Sequence, residues 1–257
     1  MKRTILITAA LIFLGMIANA NNPRDIAEKA SNSIGFTSME MSSTLKIFDN
    51  KGNVRERQVA VATKKFGDTY KTMIRFLAPA DVKGTSMLIF DYEEKGDDMW
   101  IYMPSMRKTR RIVSSEKGRS FMGSEFTNAN MSKPNFDDFN YSTIGTETID
   151  GKEFWKIESI CKTESIADEY GYSKQVAYIE KLSYLTHKVE YYDRYNELQK
   201  IMTISDFRKQ SNGVYFAYYM EMNNVQNGRK SVMTVNLFQL GSSLKETDFS
   251  TTSLEKM

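Results

Sequence analysis

Along most of the chain the apolar positions recur every second residue. Met39, Met41, Ser43, Leu45 and Ile47 alternate with Glu40, Ser42, Thr44 and Lys46, and Asp49-Asn50-Lys51-Gly52 then reads as a turn. Val54 to Lys65 returns, Phe66-Gly67-Asp68 turns again, and Tyr70 to Leu77 follows with Ile74 and Phe76 opposite Lys71 and Arg75. The same rhythm predicts strands over Ser86–Tyr92, Met99–Met103, Lys108–Val113, Tyr141–Thr148 and Lys152–Cys161. It continues over Lys174–Ile179, His187–Tyr192, Leu198–Phe207, Val214–Val225 and Ser231–Phe238. Asp150-Gly151, Asn212-Gly213 and Asn227-Gly228 are hairpin signals, since Gly and its neighbour accept positive φ readily. About 11 or 12 strands joined by short turns predict a mainly β protein with helices, an antiparallel sheet curved into a half-open barrel.

Two segments break the alternation. Asn22 followed by Pro23 reads as an N-cap with proline in the first turn, and Ile26, Ala30 and Ile34 recur every four residues, predicting one short amphipathic helix that Gly35 ends. Between Ser114 and Asn140 the period of two is lost, while Phe121, Met122, Phe126 and Met131 place apolar side chains in a long connection that also holds Pro134. Such side chains are costly on a mobile loop unless they cover something, which predicts a lid over about residues 114–140.

The first 20 residues change the picture of location. Lys2 and Arg3 precede an uncharged apolar run from Ile5 to Ile17, and Ala18-Asn19-Ala20 is an A-x-A cleavage signal. The run is too short to span a bilayer comfortably, and no cysteine follows it for a lipid anchor, so an exported periplasmic protein cleaved near Ala20 is expected. No linker rich in Pro, Gly or Ser divides the rest, so residues 21–257 are expected to form one domain. The 35 basic and 32 acidic side chains give +3, which falls to +1 without Lys2 and Arg3, so no overall field favours nucleic acid.

Catalytic groupings are scarce. One cysteine, Cys161, and one histidine, His187, cannot build an internal disulfide or a zinc site, and nothing local brings them to each other or to a particular acid. Gly118-Arg119-Ser120-Phe121-Met122-Gly123 lacks the spacing of a nucleophile elbow. Glu93-Glu94, Asp97-Asp98 and Asp137-Asp138 each sit in a turn-like context and read as solvated turns. An enzyme is therefore not expected, and no cofactor or metal is. The dense basic cluster Arg107, Lys108, Arg110 and Arg111 suits a lipid headgroup or an acidic partner protein, with a solvated rim as the plain alternative. Sixteen Met, 15 Phe and 14 Tyr supply soft apolar surface, enough either to fill a closed barrel or to line a cavity for acyl chains.

Ala78-Pro79-Ala80-Asp81-Val82-Lys83-Gly84-Thr85-Ser86, Asp98-Met99-Trp100-Ile101-Tyr102-Met103-Pro104, Arg110-Arg111-Ile112 and Ser120-Phe121-Met122-Gly123-Ser124-Glu125-Phe126 together carry a resemblance. So do Tyr184-Leu185-Thr186-His187-Lys188-Val189-Glu190-Tyr191-Tyr192-Asp193 and Ser205-Asp206-Phe207. In these blocks the chain resembles the exported bacterial proteins of outer-membrane lipoprotein sorting, relatives of the LolA/LolB carriers. The resemblance implies a non-enzymatic carrier whose half-open barrel holds acyl chains of a lipid or lipoprotein beneath a helical lid. On this chain it places Leu45, Ile74, Phe76, Trp100, Tyr102, Tyr218 and Met220 in the cavity, and Phe121, Met122 and Phe126 as lid contacts. The sequence departs from the best-known carriers in its greater length and in Thr127-Asn128-Ala129-Asn130-Met131 after the lid motif. The sub-family it resembles most is often associated with membrane exporters of the RND type. The alternative is accordingly a periplasmic accessory that docks on such an exporter through Arg107, Lys108, Arg110 and Arg111. A monomer is expected in either case.

Overall fold

A computed structural model describes residues 22–93 and 95–256. The leader, its cleavage site and Glu94 lie outside the described residues. Every segment read as alternating is a strand; these segments number 13, so the expected 11 or 12 undercounts them, and all lie in a single antiparallel sheet. The first six are β1 (Ser38–Phe48), β2 (Val54–Phe66), β3 (Thr69–Ala78), β4 (Ser86–Tyr92), β5 (Asp98–Met103) and β6 (Lys108–Ile112). The other seven are β7 (Phe139–Ile149), β8 (Lys152–Cys161), β9 (Lys174–Glu180), β10 (Thr186–Tyr192), β11 (Leu198–Lys209), β12 (Tyr215–Asn224) and β13 (Lys230–Leu240).

The strand order is β6-β5-β4-β3-β2-β1-β13-β12-β11-β10-β9-β8-β7, so the sheet does not close and β6 and β7 are its two edges. Two meanders are joined at the centre by β1 and β13, where a bulge between Ser42 and Ser43 shifts the register. The hairpins form where the turn residues predict them. At Asp150-Gly151, for example, φ values of 50° and 77° provide the two positive-φ positions that a tight hairpin twist requires.

Residues 113–138 leave one sheet edge and return at the other, crossing one face on the way. That covered face is called the inner face below. The segment contains a short helix α2 (Ser114–Lys117) and the 3-10 turns Asn128–Met131 and Phe136–Asp138. Helix α1 (Pro23–Ser33) starts as the sequence predicts, with the Asn22 side chain accepting from Arg24 N at 3.0 Å, and its Ile26 and Ala30 pack on Ile157 and Ile179. Helix α3 (Glu164–Tyr170) follows β8 and meets α2. The outer face of β4 and β5 is covered by the C-terminal segment with helix α4 (Thr251–Glu255), through Phe249 and Leu254 on Leu88 and Tyr102. Among the described residues no helix is long and apolar enough to cross a membrane.

Candidate functional site

The inner face is an apolar trough plugged by the lid. Side chains of one parity point into it from each strand. Leu45 and Ile47 come from β1, Val59 and Val61 from β2, Ile74 and Phe76 from β3, and Met87 and Ile89 from β4. Tyr191, Met202, Met220, Met222 and Met233 face them from the other meander. Phe121 and Phe126 of the lid enter this cluster and are almost wholly buried, at 1% and 3% exposure. The Phe121 ring lies 5.7 Å from that of Phe76, and the Phe121 N–H donates to the Phe126 carbonyl at 2.8 Å, closing the lid tip into a tight loop. Leu45, Ile74, Phe76 and Met220 are thus brought together with Phe121, Met122 and Phe126 in one packed cluster.

Trp100 and Tyr102 are not. On β5 the inward residues are Met99 and Ile101, and the two aromatics point to the outer face, where they pack with Leu88, Phe249 and Leu254. The assignment is off by one because β5 is apolar on both faces, so alternation carries no inward signal there. Tyr218 shares the parity of Met220 but lies outside the buried cluster. It stands beside Phe216 and Phe238, centroids 5.9 and 6.3 Å away, with the Arg208 guanidinium 3.9 Å over its ring. A fourth aromatic, the buried Phe36, packs edge-on or tilted against Phe216 and Phe238, and with the half-buried Met39 and Met41 of β1 this makes an apolar stretch beyond the lid.

The trough is shut. Beneath the lid a space of about 10 Å³ lies between Thr127, Tyr172, Tyr191, Lys200 and Met222, enough for a single water. A larger groove of about 470 Å³ lies on the outer face, floored by Ser42, Ala60 and Ala62 and rimmed by Met73, Arg75 and Leu237.

Polar side chains clamp the lid at both ends. At its tip, Arg57 donates through Nη1 to the Met122 carbonyl, Arg229 through Nη2 to the Gly123 carbonyl at 3.0 Å, and Lys200 through Nζ to the Glu125 carbonyl at 2.8 Å. The Glu125 carboxylate, buried, accepts from Asn224 Nδ2 at 2.9 Å and lies 3.0 Å from Arg229 Nε. Its backbone N–H donates to Ser231 Oγ at 2.9 Å. At the lid base, Lys117 pairs with Glu169 at 2.6 Å and lies 3.9 Å from Asp97. Ser132 Oγ donates to Asp97, and Lys133 N donates to Asp91 Oδ2 at 3.3 Å. Burial and the neighbouring Asp97 push the Asp91 carboxyl up to about 6, and burial raises Asp97 as well. The Asp97-Asp98 pair is therefore no solvated turn. Asp138, in the same way, accepts from the Tyr170 hydroxyl at 2.9 Å. Sequence reading missed Arg57, Lys200, Asn224 and Arg229, which are dispersed over three strands and a turn. Glu125 carried a signal, a lone acid inside the apolar lid motif.

In the basic cluster, Arg110 is paired with Glu116 at 2.6 Å and Arg111 with Asp98. Arg107 and Lys108 make no ion pair among the described residues and stay exposed at the β5–β6 hairpin beside Met106. Cys161 is half-buried, its Sγ donating to the Tyr172 carbonyl at 3.4 Å, and burial lifts its thiol to about 12, so it is unreactive as a nucleophile at neutral pH. His187 lies between the Phe154 and Phe207 rings with Glu180 3.1 Å from its Nε2, and burial lowers its pKa. Among the described residues, no group of three or more His, Cys, Asp or Glu side chains could hold a metal ion.

A family model described as that of an uncharacterized protein matches residues 68–256, most of the chain. A crystal structure of a protein domain assigned to outer membrane lipoprotein sorting, from Vibrio parahaemolyticus, is 26% identical. It has a TM-score of 0.83 and covers 91% of this chain and 100% of its own. A DUF1329 family protein from Desulfovibrio piger is 27% identical with a TM-score of 0.82, over 90% of this chain and 97% of its own. A LolA superfamily protein from Nitrosomonas europaea shares the fold, at 20% identity and a TM-score of 0.71 over 91% of this chain and 100% of its own. No curated protein matches the sequence. With the open antiparallel sheet, the plugged inner trough and these likenesses together, the chain belongs to the family of that model and has the LolA-like fold of the outer-membrane lipoprotein-sorting domain it resembles.

Proposed function

We propose that the protein is a periplasmic carrier, one domain over residues 21–257 after cleavage near Ala20, that holds acyl chains of a lipid or lipoprotein in the inner trough and moves them toward the outer membrane without catalysis. The observation that carries this reading is the way the trough is filled. A single chain connection, rather than a second sheet, supplies Phe121 and Phe126 to the apolar lining, and polar contacts at its two ends hold it there. Hydrocarbon can occupy the same surface once the lid swings out, because the sheet beneath is built from strands independent of the lid. The exchange is energetically balanced. Exposing two Phe side chains costs about 3–6 kcal/mol, and each buried methylene returns about 0.8 kcal/mol. The Met side chains opposite adapt to chains of differing shape.

Native mass spectrometry of the mature protein taken from the periplasm without detergent tests the reading. A bound mass matching a phospholipid or acylated peptide supports it; an empty protein that also fails to take up a fluorescent fatty acid rejects it. Docking on an RND-type exporter is the second reading, favoured by the unpaired Arg107 and Lys108 at an exposed hairpin tip. Arg107→Glu with Lys108→Glu should then abolish partner capture and leave fatty-acid uptake unchanged, whereas intact capture refutes it.

A further inference from the structure

The lid tip is held by an excess of positive charge. Arg57, Lys200 and Arg229 each donate to a lid-tip carbonyl, of Met122, Glu125 and Gly123 respectively, and among the described residues the Glu125 carboxylate is the one that pairs with Lys200 and Arg229. Arg57 is buried and, among the described residues, makes no ion pair; its guanidinium instead lies 5.7 Å from the Phe76 ring. Lys200 Nζ is 3.8 Å from Glu125 Oε2, and burial lowers its pKa. Arg229 Nε is buried 3.0 Å from Oε1 yet makes no hydrogen bond. Two of the three cations thus share one carboxylate, and the third has only a neutral carbonyl, an arrangement that leaves donor capacity unused. Charged acceptors make hydrogen bonds roughly twice as strong as neutral ones, so an anion with several oxygens fits this cluster better than the lid does.

The position of the cluster identifies the anion's source. Glu125 precedes Phe126 directly, and Phe121 closes the same loop, so withdrawal of the lid uncovers the cations and the apolar trough in one movement. A ligand that exploits both must carry a negative head on hydrocarbon. We propose that Lys200, Arg229 and Asn224 form an anion site that Glu125 occupies while the lid is closed, and that the phosphate head of an acylated lipid replaces the Glu125 carboxylate when the lid opens. The inference rests on the carrier reading and adds the headgroup class to it. Glu125 is then an internal competitor: it keeps the empty carrier closed and makes charge, as well as hydrocarbon, a condition of loading.

The test compares didecanoyl phosphatidic acid, didecanoylglycerol and inorganic phosphate as ligands of the wild type, Glu125→Gln and Glu125→Gln/Lys200→Met, each checked for folding by circular dichroism. Glu125→Gln should bind phosphatidic acid about tenfold tighter than the wild type, the loss of one competing charged hydrogen bond. Didecanoylglycerol should gain by a similar factor, because the closed lid is weakened for either ligand, and adding Lys200→Met should then weaken phosphatidic acid relative to didecanoylglycerol. Inorganic phosphate should raise the melting temperature of Glu125→Gln more than that of the wild type, and should bind far more weakly than the lipid. Should Glu125→Gln fail to fold, Arg229→Met alone should weaken phosphatidic acid about tenfold and spare the neutral lipid. An equal change for both lipids on adding Lys200→Met means that the cations act only on the lid, and overturns the headgroup site while the carrier reading stands. Phosphate binding as tight as phosphatidic acid overturns the lipid as source. Absence of lipid binding by every variant rejects the carrier and this inference with it.

Discussion

Two residues carry opposite consequences for stability. Phe126 fills the trough, and Phe126→Ala removes a buried ring at a cost of about 3–5 kcal/mol. The cavity left should admit a probe, so the variant should melt lower and take up a fluorescent fatty acid faster than the wild type; slower or unchanged uptake would show that the lid does not gate the trough. Asp91 acts the other way. Its folded carboxyl titrates at about 6, above the ordinary value of 3.8, because burial and Asp97 disfavour its charge. A raised folded value means that Asp91 favours the folded state fully below the ordinary value and that this contribution disappears as pH rises through about 6. At neutral pH its ionised form therefore strains the lid base by up to about 3 kcal/mol. Asp91→Asn keeps an acceptor for Lys133 N and should raise the melting temperature at pH 7.5, the gain shrinking as pH falls toward 4. A variant equally or less stable at every pH would place the cost elsewhere.

At the level of elements, α2 and α3 touch backbone to backbone where the lid begins. A Cβ on Gly118 would lie 2.6 Å from the Asp168 carbonyl, and one on Gly171, at φ +81°, would lie 2.7 Å from the Gly118 carbonyl. Neither neighbour is a flexible side-chain end, so Gly118→Ala must push the helices apart. We expect a loss of about 2 kcal/mol or more and a melting temperature lower by roughly 4–8 °C, with faster amide exchange over residues 113–138 and little change in β1 to β3. Unaltered exchange in the lid would mean that this contact does not anchor it. The strands themselves were legible from period two, because each strand with one polar face announces its register. β5 was misread because the C-terminal segment covers its outer side, so Tyr102 is buried and Trp100 half-buried for a reason some 150 residues away in sequence. The lid was legible as a break in that period that still carried Phe121 and Phe126. Its clamps were not, since Arg57, Lys200 and Arg229 become neighbours only once the two meanders pair through β1 and β13.

The whole molecule is arranged so that loading need not disturb the sheet. Both ends of the lid attach to edge strands, β6 and β7, whereas the central pairing of β1 with β13 holds the two meanders together. Opening then exposes the trough lining and the two lid rings, and only hydrocarbon long enough offsets that exposure. Two Phe side chains at about 1.5–3 kcal/mol each against about 0.8 kcal/mol per methylene place the balance near four to eight methylenes, before the lid's polar contacts are added. Affinity for straight-chain fatty acids should therefore be unmeasurable for hexanoate and rise steeply through decanoate to palmitate. Phe121→Ala should move the onset to shorter chains, because one ring fewer has to be displaced. Titration of the series by isothermal calorimetry decides the matter. A steep rise that shifts with Phe121→Ala means that ligand and lid compete for one surface. A dependence on chain length unaffected by that substitution would instead locate the hydrocarbon away from the lid, with the outer-face groove beside Met73 and Leu237 as its remaining place.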